Sequence, residues 1–133
     1  MKGYIVQIED ATRKNENYRQ VLFTARHNQL VLMSLKPGEE IGEEVHDLDQ
    51  FIRFEAGEGT VVLDGESHPV VDGHAVVIPA GTRHNVVNRS KQALLKLYSI
   101  YSPPEHKSGT IHRTKKEADA DEHHHFDGKT SLG

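Results

Sequence analysis

Apolar and polar residues alternate along most of residues 1–104. A period of two is the repeat of a half-buried β-strand, whereas an amphipathic helix repeats every 3.6 residues. The alternating segments are rich in Val, Ile, Leu, Phe and Tyr and end in Gly, Pro, Asn, Asp or Ser. They read "QVLFTARH", "QLVLMSLKPG", "DQFIRFEAG", "GTVVLDGE", "HAVVIPAG", "HNVVNRS" and "ALLKLYSIYSPP". This pattern predicts an all-β sandwich or small barrel.

Turn signals and a change in composition predict the domain organisation. Asp64-Gly65 and Asp72-Gly73 lie between apolar runs, which is typical of tight hairpins. After "SPPEHKSGT" the chain becomes highly charged, and its one helix-forming stretch, "TKKEADADE", lacks an apolar face. We therefore expect a barrel domain over residues 1–104. Residues 105–133 are expected to be a C-terminal arm and a mostly flexible, solvated tail.

Composition limits the classes of function. The 133 residues carry a net charge of −4 with no cysteine, which argues against nucleic acid as a partner and excludes thiolate chemistry. The start "MKGYIVQIED" lacks the apolar run of a signal peptide, and no stretch is long enough to cross a bilayer. A cytoplasmic protein without a membrane partner is the expectation. Ten histidines are many for this length, and histidine is the commonest metal ligand.

Two stretches carry candidate chemistry. "GEEVHDLDQF", residues 42–51, holds four carboxylates, a histidine and a glutamine without a lysine or arginine. Residues two apart on a strand share a face, so Glu44 and His46 are expected to point the same way. "GHAVVIPAGTRHNVVN", residues 73–88, places His84 at the start of a strand, after a proline-glycine turn.

These stretches resemble the two conserved motifs of the cupin superfamily. The second motif, G-(x)5-P-x-G-(x)2-H-(x)3-N, is matched at every fixed position, by Gly73, Pro79, Gly81, His84 and Asn88. The first motif, G-(x)5-H-x-H-(x)3,4-E-(x)6-G, is matched at Gly38, His46 and Gly57. Glu44 stands at its first histidine and Gln50 at its glutamate.

The resemblance implies a double-stranded β-helix, or jelly roll, whose mouth holds one divalent transition metal. Carried over by position, the metal ligands would be Glu44, His46, Gln50 and His84. Nitrogen and oxygen donors of this kind suit Zn, Fe, Mn, Ni or Co without distinguishing among them. Gln50 is the weakest donor, and hydrogen bonding behind the metal ligands is the alternative role for it.

Other polar residues have simpler explanations. The remaining acids of the first motif are expected to face solvent, although a small change in loop geometry would bring Asp49 to the metal. Two prolines and a glycine fix a bent path for the arm, and His106 and His112 flank the bend. Either histidine could therefore close the barrel mouth. The run of histidines 123–125 is expected to decorate the surface, and Arg19 and Arg53 to lie at the surface or in a dimer interface.

Three hypotheses about function follow. The first is a metal-dependent enzyme, such as a dioxygenase or isomerase, that acts on a small polar or carbonyl compound. The second is a non-catalytic cupin that binds a sugar or small acid, which the two altered ligands favour. The third is a metal-free isomerase in which Glu44 and His46 move protons. A homodimer is also expected, because "GYIVQIED" and "QVLFTARH" are interpreted as strands at a sheet edge.

Overall fold

The computed structural model describes residues 2–132, in which nine strands and two short helices form. Met1 begins the predicted barrel domain and Gly133 ends the predicted tail, and both lie outside the described residues. The helices are α1 (Ile8–Lys14) and α2 (Lys115–Ala120). The strands are β1 (Arg19–Thr24), β2 (Gln29–Leu35), β3 (Asp49–Ala56), β4 (Glu58–Leu63), β5 (Glu66–Val71), β6 (Ala75–Ile78), β7 (His84–Asn88), β8 (Leu95–Ser102) and β9 (Ile111–His112). Every strand predicted within residues 19–104 is present.

The strands form two antiparallel sheets. One has six strands in the order β6-β3-β8-β2-β1-β9, and the other has three in the order β5-β4-β7. Side chains from both sheets form a shared core, in which Ile52 and Phe54 of β3 and Val61 of β4 are almost fully buried. The predicted all-β jelly-roll barrel is confirmed, because alternating strands can bury one face only by packing two sheets together.

The N-terminal segment differs from its prediction. Residues of "GYIVQIED" were expected to form an edge strand, but the chain forms α1 from Ile8. Thr12 is fully buried one helical turn after Ile8 and donates to its carbonyl at 2.7 Å. Ion pairs four residues apart, such as Lys14 with Asp10 at 3.0 Å, suit a helix and have no counterpart in a strand.

The edge of the larger sheet is also different from the prediction. β1 is not an edge strand, because it lies between β2 and β9. β9 belongs to the C-terminal arm, and its His112 is paired with Arg19. The arm therefore covers the edge that the sequence pattern left open.

The segment after the arm has packing contacts that its sequence did not show. "KKEADADE" was interpreted as a solvated stretch, but α2 forms there and Ala118 is buried in the core. Thr114 caps the helix by accepting from the Glu117 backbone N–H at 3.1 Å. One alanine is enough to anchor so short a helix, and it is too small to create an apolar pattern. The mostly flexible tail stays a prediction.

Candidate metal centre

The backbone brings Glu44 and His84 side by side. Glu44 donates its N–H to the His84 carbonyl at 2.8 Å, and His84 donates to the Glu44 carbonyl at 2.9 Å. This isolated bridge extends β7 towards the first motif. The predicted alternation holds, because Glu44 and His46 are partly buried while Val45 between them is exposed.

Glu44, His46 and His84 form a cluster of possible metal ligands. One donor atom from each side chain lies within 4.8 Å of the other two. The His46 and His84 rings are 5.2 Å apart between centroids. His46 Nε2 is 3.4 Å from Glu44 Oε2. Residues from two distant parts of the chain thus converge as the two motifs predicted.

A hydrogen bond orients the His84 ring and determines which of its nitrogens carries the proton. Its Nδ1 lies 2.9 Å from the Thr82 carbonyl oxygen, which can only accept. The proton is therefore on Nδ1, and Nε2 keeps the lone pair that a metal requires. His84 is 5% exposed, so the ring has little freedom to turn away.

Glu44 lacks a cationic partner in the described chain. No lysine or arginine of residues 2–132 forms an ion pair with it, and its neighbour His46 is charged only when protonated. A half-buried carboxylate beside two imidazoles fits a divalent ion, which neutralises the carboxylate and accepts the imidazole lone pairs. The charge and the donor types of this cluster therefore suit a divalent metal ion.

Gln50 is buried but is not satisfied. Its side chain is 4% exposed, and its Nε2 donates to Ser99 Oγ at 3.1 Å. Its Oε1 is buried without a hydrogen-bond partner. Gln50 is paired with Tyr101 of β8, whose ring packs edge-on against His46. The Gln50 side chain thus has one amide oxygen without a partner within residues 2–132, and direct ligation of a metal stays a prediction.

The other motif acids lie outside the cluster. Asp49 accepts a hydrogen bond from the Ala80 N–H at 2.8 Å, which explains its place in the turn without a metal. Glu43 forms an ion pair with Arg83.

Arg53 was expected at the surface or in an interface. It is partly exposed, and its Nε lies 3.2 Å from Glu55 Oε1.

The arm reaches the centre through a residue that the sequence did not reveal. Glu105 Oε2 lies 3.6 Å from His46 Nδ1, on the side of the ring away from Glu44. Its other oxygen is 3.1 Å from Nδ1 of His125. Neither His106 nor His112 belongs to the cluster of possible ligands. Glu105 follows two prolines and belongs to no motif, so only folding could show its position.

A second group of histidines forms where the tail contacts the arm. His106 Nδ1 is 3.0 Å from His124 Nδ1, and the His124 ring stacks against His125 with centroids 4.3 Å apart. Burial lowers the pKa of His106 strongly, with the nearby charge of Arg19 adding to the effect. The expectation that histidines 123–125 only decorate the surface is wrong for His124, which packs on the arm.

Two further residues near the centre have unusual surroundings. Arg19 is 7% exposed, and so the expectation of a surface or interface position is wrong for it. Burial raises the pKa of the Tyr101 hydroxyl well above its usual range, so Tyr101 keeps its proton at neutral pH. Both residues lie on regular strands, where nothing in the local pattern separates them from ordinary core or surface positions.

Comparison with known proteins decides the family. A family model described as "Cupin domain" matches residues 31–101, which is more than half of the chain and includes both motifs.

The chain belongs to the cupin superfamily.

This cupin is similar to proteins of bacterial and viral origin. It is 47% identical to the uncharacterized protein YrkC of Bacillus subtilis (strain 168), over 91% of the chain and 68% of YrkC. It is 48% identical to the uncharacterized protein L612 of Acanthamoeba polyphaga mimivirus, over 81% of the chain and 70% of L612. The crystal structure of BH2720 from Bacillus halodurans is 46% identical, with a TM-score of 0.87 over 90% of this cupin and 96% of BH2720.

No helix within residues 2–132 combines the length and apolar character that crossing a membrane requires.

Proposed function

We propose that this cupin is a metal-dependent enzyme that acts on a small polar or carbonyl-containing metabolite. Glu44, His46 and His84 would hold one divalent transition metal, with the Gln50 amide oxygen as a fourth ligand. The observation that carries the proposal is the convergence of the first three donors within 4.8 Å around a carboxylate that has no lysine or arginine partner.

The bound metal would supply a Lewis acid or an oxygen-binding site. The chain's own residues orient that site. The Thr82 carbonyl accepts from His84 Nδ1, which leaves the Nε2 lone pair of His84 free for a metal, and Glu105 faces Nδ1 of His46. Tyr101 stays protonated beside His46 and is available as a hydrogen-bond donor. Zn, Fe, Mn, Ni and Co all suit this donor set, and dioxygenase and isomerase chemistry are both compatible with it.

The first test is metal analysis of protein made without an affinity tag. We expect about one equivalent of a transition metal per chain, as one closed set of ligands binds one ion. Glu44→Gln should weaken metal binding about a hundredfold, because it removes the charged ligand. Glu40→Gln is the matched control, since Glu40 is exposed in the same acidic stretch. Equal metal content in these two variants would overturn the assignment.

The metal analysis must distinguish metal bound by the tail histidines from metal bound at the centre. His123 is exposed, and adjacent histidines bind metal weakly by themselves. We expect His123→Gln to keep the tightly bound equivalent and His84→Gln to lose it. Loss of metal in both variants alike would assign the ion to the tail.

A metal-free isomerase is the alternative that the geometry favours next. Glu44 Oε2 and His46 Nε2 are 3.4 Å apart, close enough to exchange a proton through a bound substrate. This alternative predicts that activity survives exhaustive chelation. A binding cupin without turnover predicts instead that a ligand binds and is released unchanged. We propose a small molecule as the ligand in each case, with neither nucleic acid nor membrane as a partner.

A further inference from the structure

The buried Arg19 side chain is held by a neutral partner. Its Nη1 group donates to His112 Nδ1 at 3.0 Å. Because arginine keeps all its protons, His112 must accept through Nδ1 and carry its own proton on Nε2. His112 Nε2 then donates to Asp121 Oδ2 at 2.9 Å. The guanidinium group also lies over the Tyr18 ring, 5.4 Å from its centroid, so both groups that touch it, His112 and Tyr18, carry no charge.

The positive charge of Arg19 has no direct counter-charge in the described chain. No carboxylate of residues 2–132 forms an ion pair with it within 4.0 Å. Its Nε is buried without a hydrogen-bond partner among residues 2–132. Arginine is almost never buried without a paired anion. The missing anion therefore points to a ligand from outside the chain.

Arg19 lines a cavity that also borders the metal centre. The cavity has a volume of about 270 Å³, and its wall includes Glu44 and, from the tail, His124. This volume is slightly below the roughly 300–1,000 Å³ of typical small-molecule sites, so only a small ligand fits. Glu44 connects the cavity to the cluster of possible metal ligands.

The carboxylates of the cavity wall do not replace this ligand. They are Glu44, Asp119, Asp121 and Glu122. Asp121 is engaged by His112 at 2.9 Å, and Asp119 by Lys115 at 2.9 Å. The other two are partly or fully exposed, whereas Arg19 is 7% exposed. Arg19 is therefore the charged residue of the wall that is buried, whereas the four acids are partly or fully exposed.

We propose that this cavity is the substrate pocket and that Arg19 binds the carboxylate of a small organic acid there, beside the metal centre. The position of the substrate rests on the proposed metal centre. The anion preference rests on Arg19 alone and holds with or without a metal.

Malonate is a suitable probe, with malonamide as its neutral isostere. Calorimetry on the full chain, both zinc-loaded and metal-free, should show that malonate binds and malonamide does not. Arg19→Gln should weaken malonate binding about tenfold to a hundredfold, since it removes one charge-assisted contact but can still donate to His112. The malonate affinity of Arg19→Lys should lie between those of the unchanged protein and Arg19→Gln, because lysine keeps the charge but cannot form the paired hydrogen bonds of a guanidinium group. Arg89→Gln is the matched control, because Arg89 lies away from the cavity and contacts Thr60.

Each outcome decides the proposal. It is overturned if millimolar malonate does not bind the unchanged protein, if malonamide binds equally well, or if Arg19→Gln binds malonate normally. If Arg19→Gln fails to fold, the arginine Nε–H resonances of the unchanged protein decide. Malonate must shift one of them selectively, and an unshifted spectrum overturns the proposal. If the protein binds no zinc but still binds malonate through Arg19, the metal centre is rejected and the pocket is retained.

Discussion

At the scale of single residues, Gln50 is where this cupin departs most clearly from the family's ligand set. Its Oε1 is buried without a partner in the described chain, and Gln50 is paired with Tyr101, whose ring packs against His46. Gln50→Glu should therefore restore a carboxylate that a bound ion can neutralise. We expect the variant to bind zinc about tenfold more tightly, because carboxylates are better ligands than amides.

Thermal unfolding with and without zinc checks this prediction. Gln50→Glu buries a charge, so the metal-free variant should melt below the unchanged protein, and zinc should reverse the loss. Gln29→Glu is the control, since Gln29 is fully buried on β2 but hydrogen-bonds Thr24 and the arm. A zinc response of equal size in both variants would show that Gln50 does not face the ion.

His106 and His124 should make the metal-free protein sensitive to acid. Burial lowers the pKa of His124 to about 4, with Arg19 adding to the effect, and it lowers the pKa of His106 further. Histidines of the unfolded chain titrate near 6.5, so below that pH the unfolded state binds protons that the folded state does not. The stability from these two residues is thus complete above about pH 6.5 and is lost as the pH falls, down to about 4 for His124 and further for His106.

Urea unfolding of chelator-treated protein at about pH 7 and about pH 5 measures this loss. The unfolding midpoint should be lower at the acidic pH. His106→Asn should reduce the difference between the two midpoints, because asparagine does not titrate. His27→Asn is the control, as His27 is exposed in the turn between β1 and β2. An undiminished difference in His106→Asn would contradict the assignment.

At the scale of elements, the turn between β3 and β4 depends on Gly57. Its φ of +94° lies in the left-handed region, and a Cβ there would be 2.5 Å from the Leu94 carbonyl oxygen. Gly57→Ala should therefore combine backbone strain with a clash against rigid backbone. We expect a loss of roughly 2–4 kcal/mol in the free energy of unfolding, measured by denaturant titration.

Gly65→Ala separates these two contributions. Gly65 has a similar φ of +85°, but nothing lies within 4 Å of its Cβ position. This variant should show the strain alone, about 1–2 kcal/mol. If the two variants lost equal stability, the close approach of the Leu94 carbonyl would not be what requires glycine at residue 57.

At the scale of the whole molecule, the arm and the segment after it should contribute differently. Truncation after Pro104 removes Glu105, which faces His46, and also removes β9. Truncation after Thr114 keeps both, but it removes the buried Ala118 and the Asp121 partner of His112. We expect the shorter chain to lose metal affinity as well as stability. The longer chain should melt at a lower temperature but bind metal normally.

Metal titration and thermal unfolding of both truncated chains check this prediction. The sequence after Thr114 shows no apolar face to pack, and a solvated tail could be removed without cost. Its contacts in the structure now predict a measurable cost. Equal metal affinity of the two truncated chains would show that the arm does not support the centre.

Assembly is a second property of the whole molecule. Tyr4 stacks on Phe23 with ring centroids 5.2 Å apart, and the adjacent Ile5 is 84% exposed. An apolar patch of this kind suits a two-fold interface, and we propose a homodimer. Sedimentation at tens of micromolar should give twice the chain mass of 14.9 kDa. Ile5→Asp should give the single-chain mass, while Val71→Asp on the edge strand β5 should not. A single-chain mass for the unchanged protein would contradict the proposal.

The local pattern was sufficient for the strands and for the two motifs. Alternation reports which face of a strand is buried, so β1 to β4 and β6 to β8 followed from neighbouring residues. The turn signals on either side of β5 indicated that strand. Alternation also predicted that Glu44 and His46 share a face, whereas their convergence with His84 was implied by the resemblance to the cupin motifs. The segment before β1 was mistaken for a strand because its apolar residues fit either period over so short a length.

Tertiary packing decided the surroundings of the site. Arg19 and His124 lie far along the chain from Tyr101 and Glu105, and none of the four occupies a motif position. The burial of Arg19, its neutral partner His112 and the cavity that it shares with Glu44 exist only because the arm adds β9 to the sheet edge. Burial and the absence of a counter-charge depend on which distant segments pack together, and short-range patterns in the sequence contain no record of that packing.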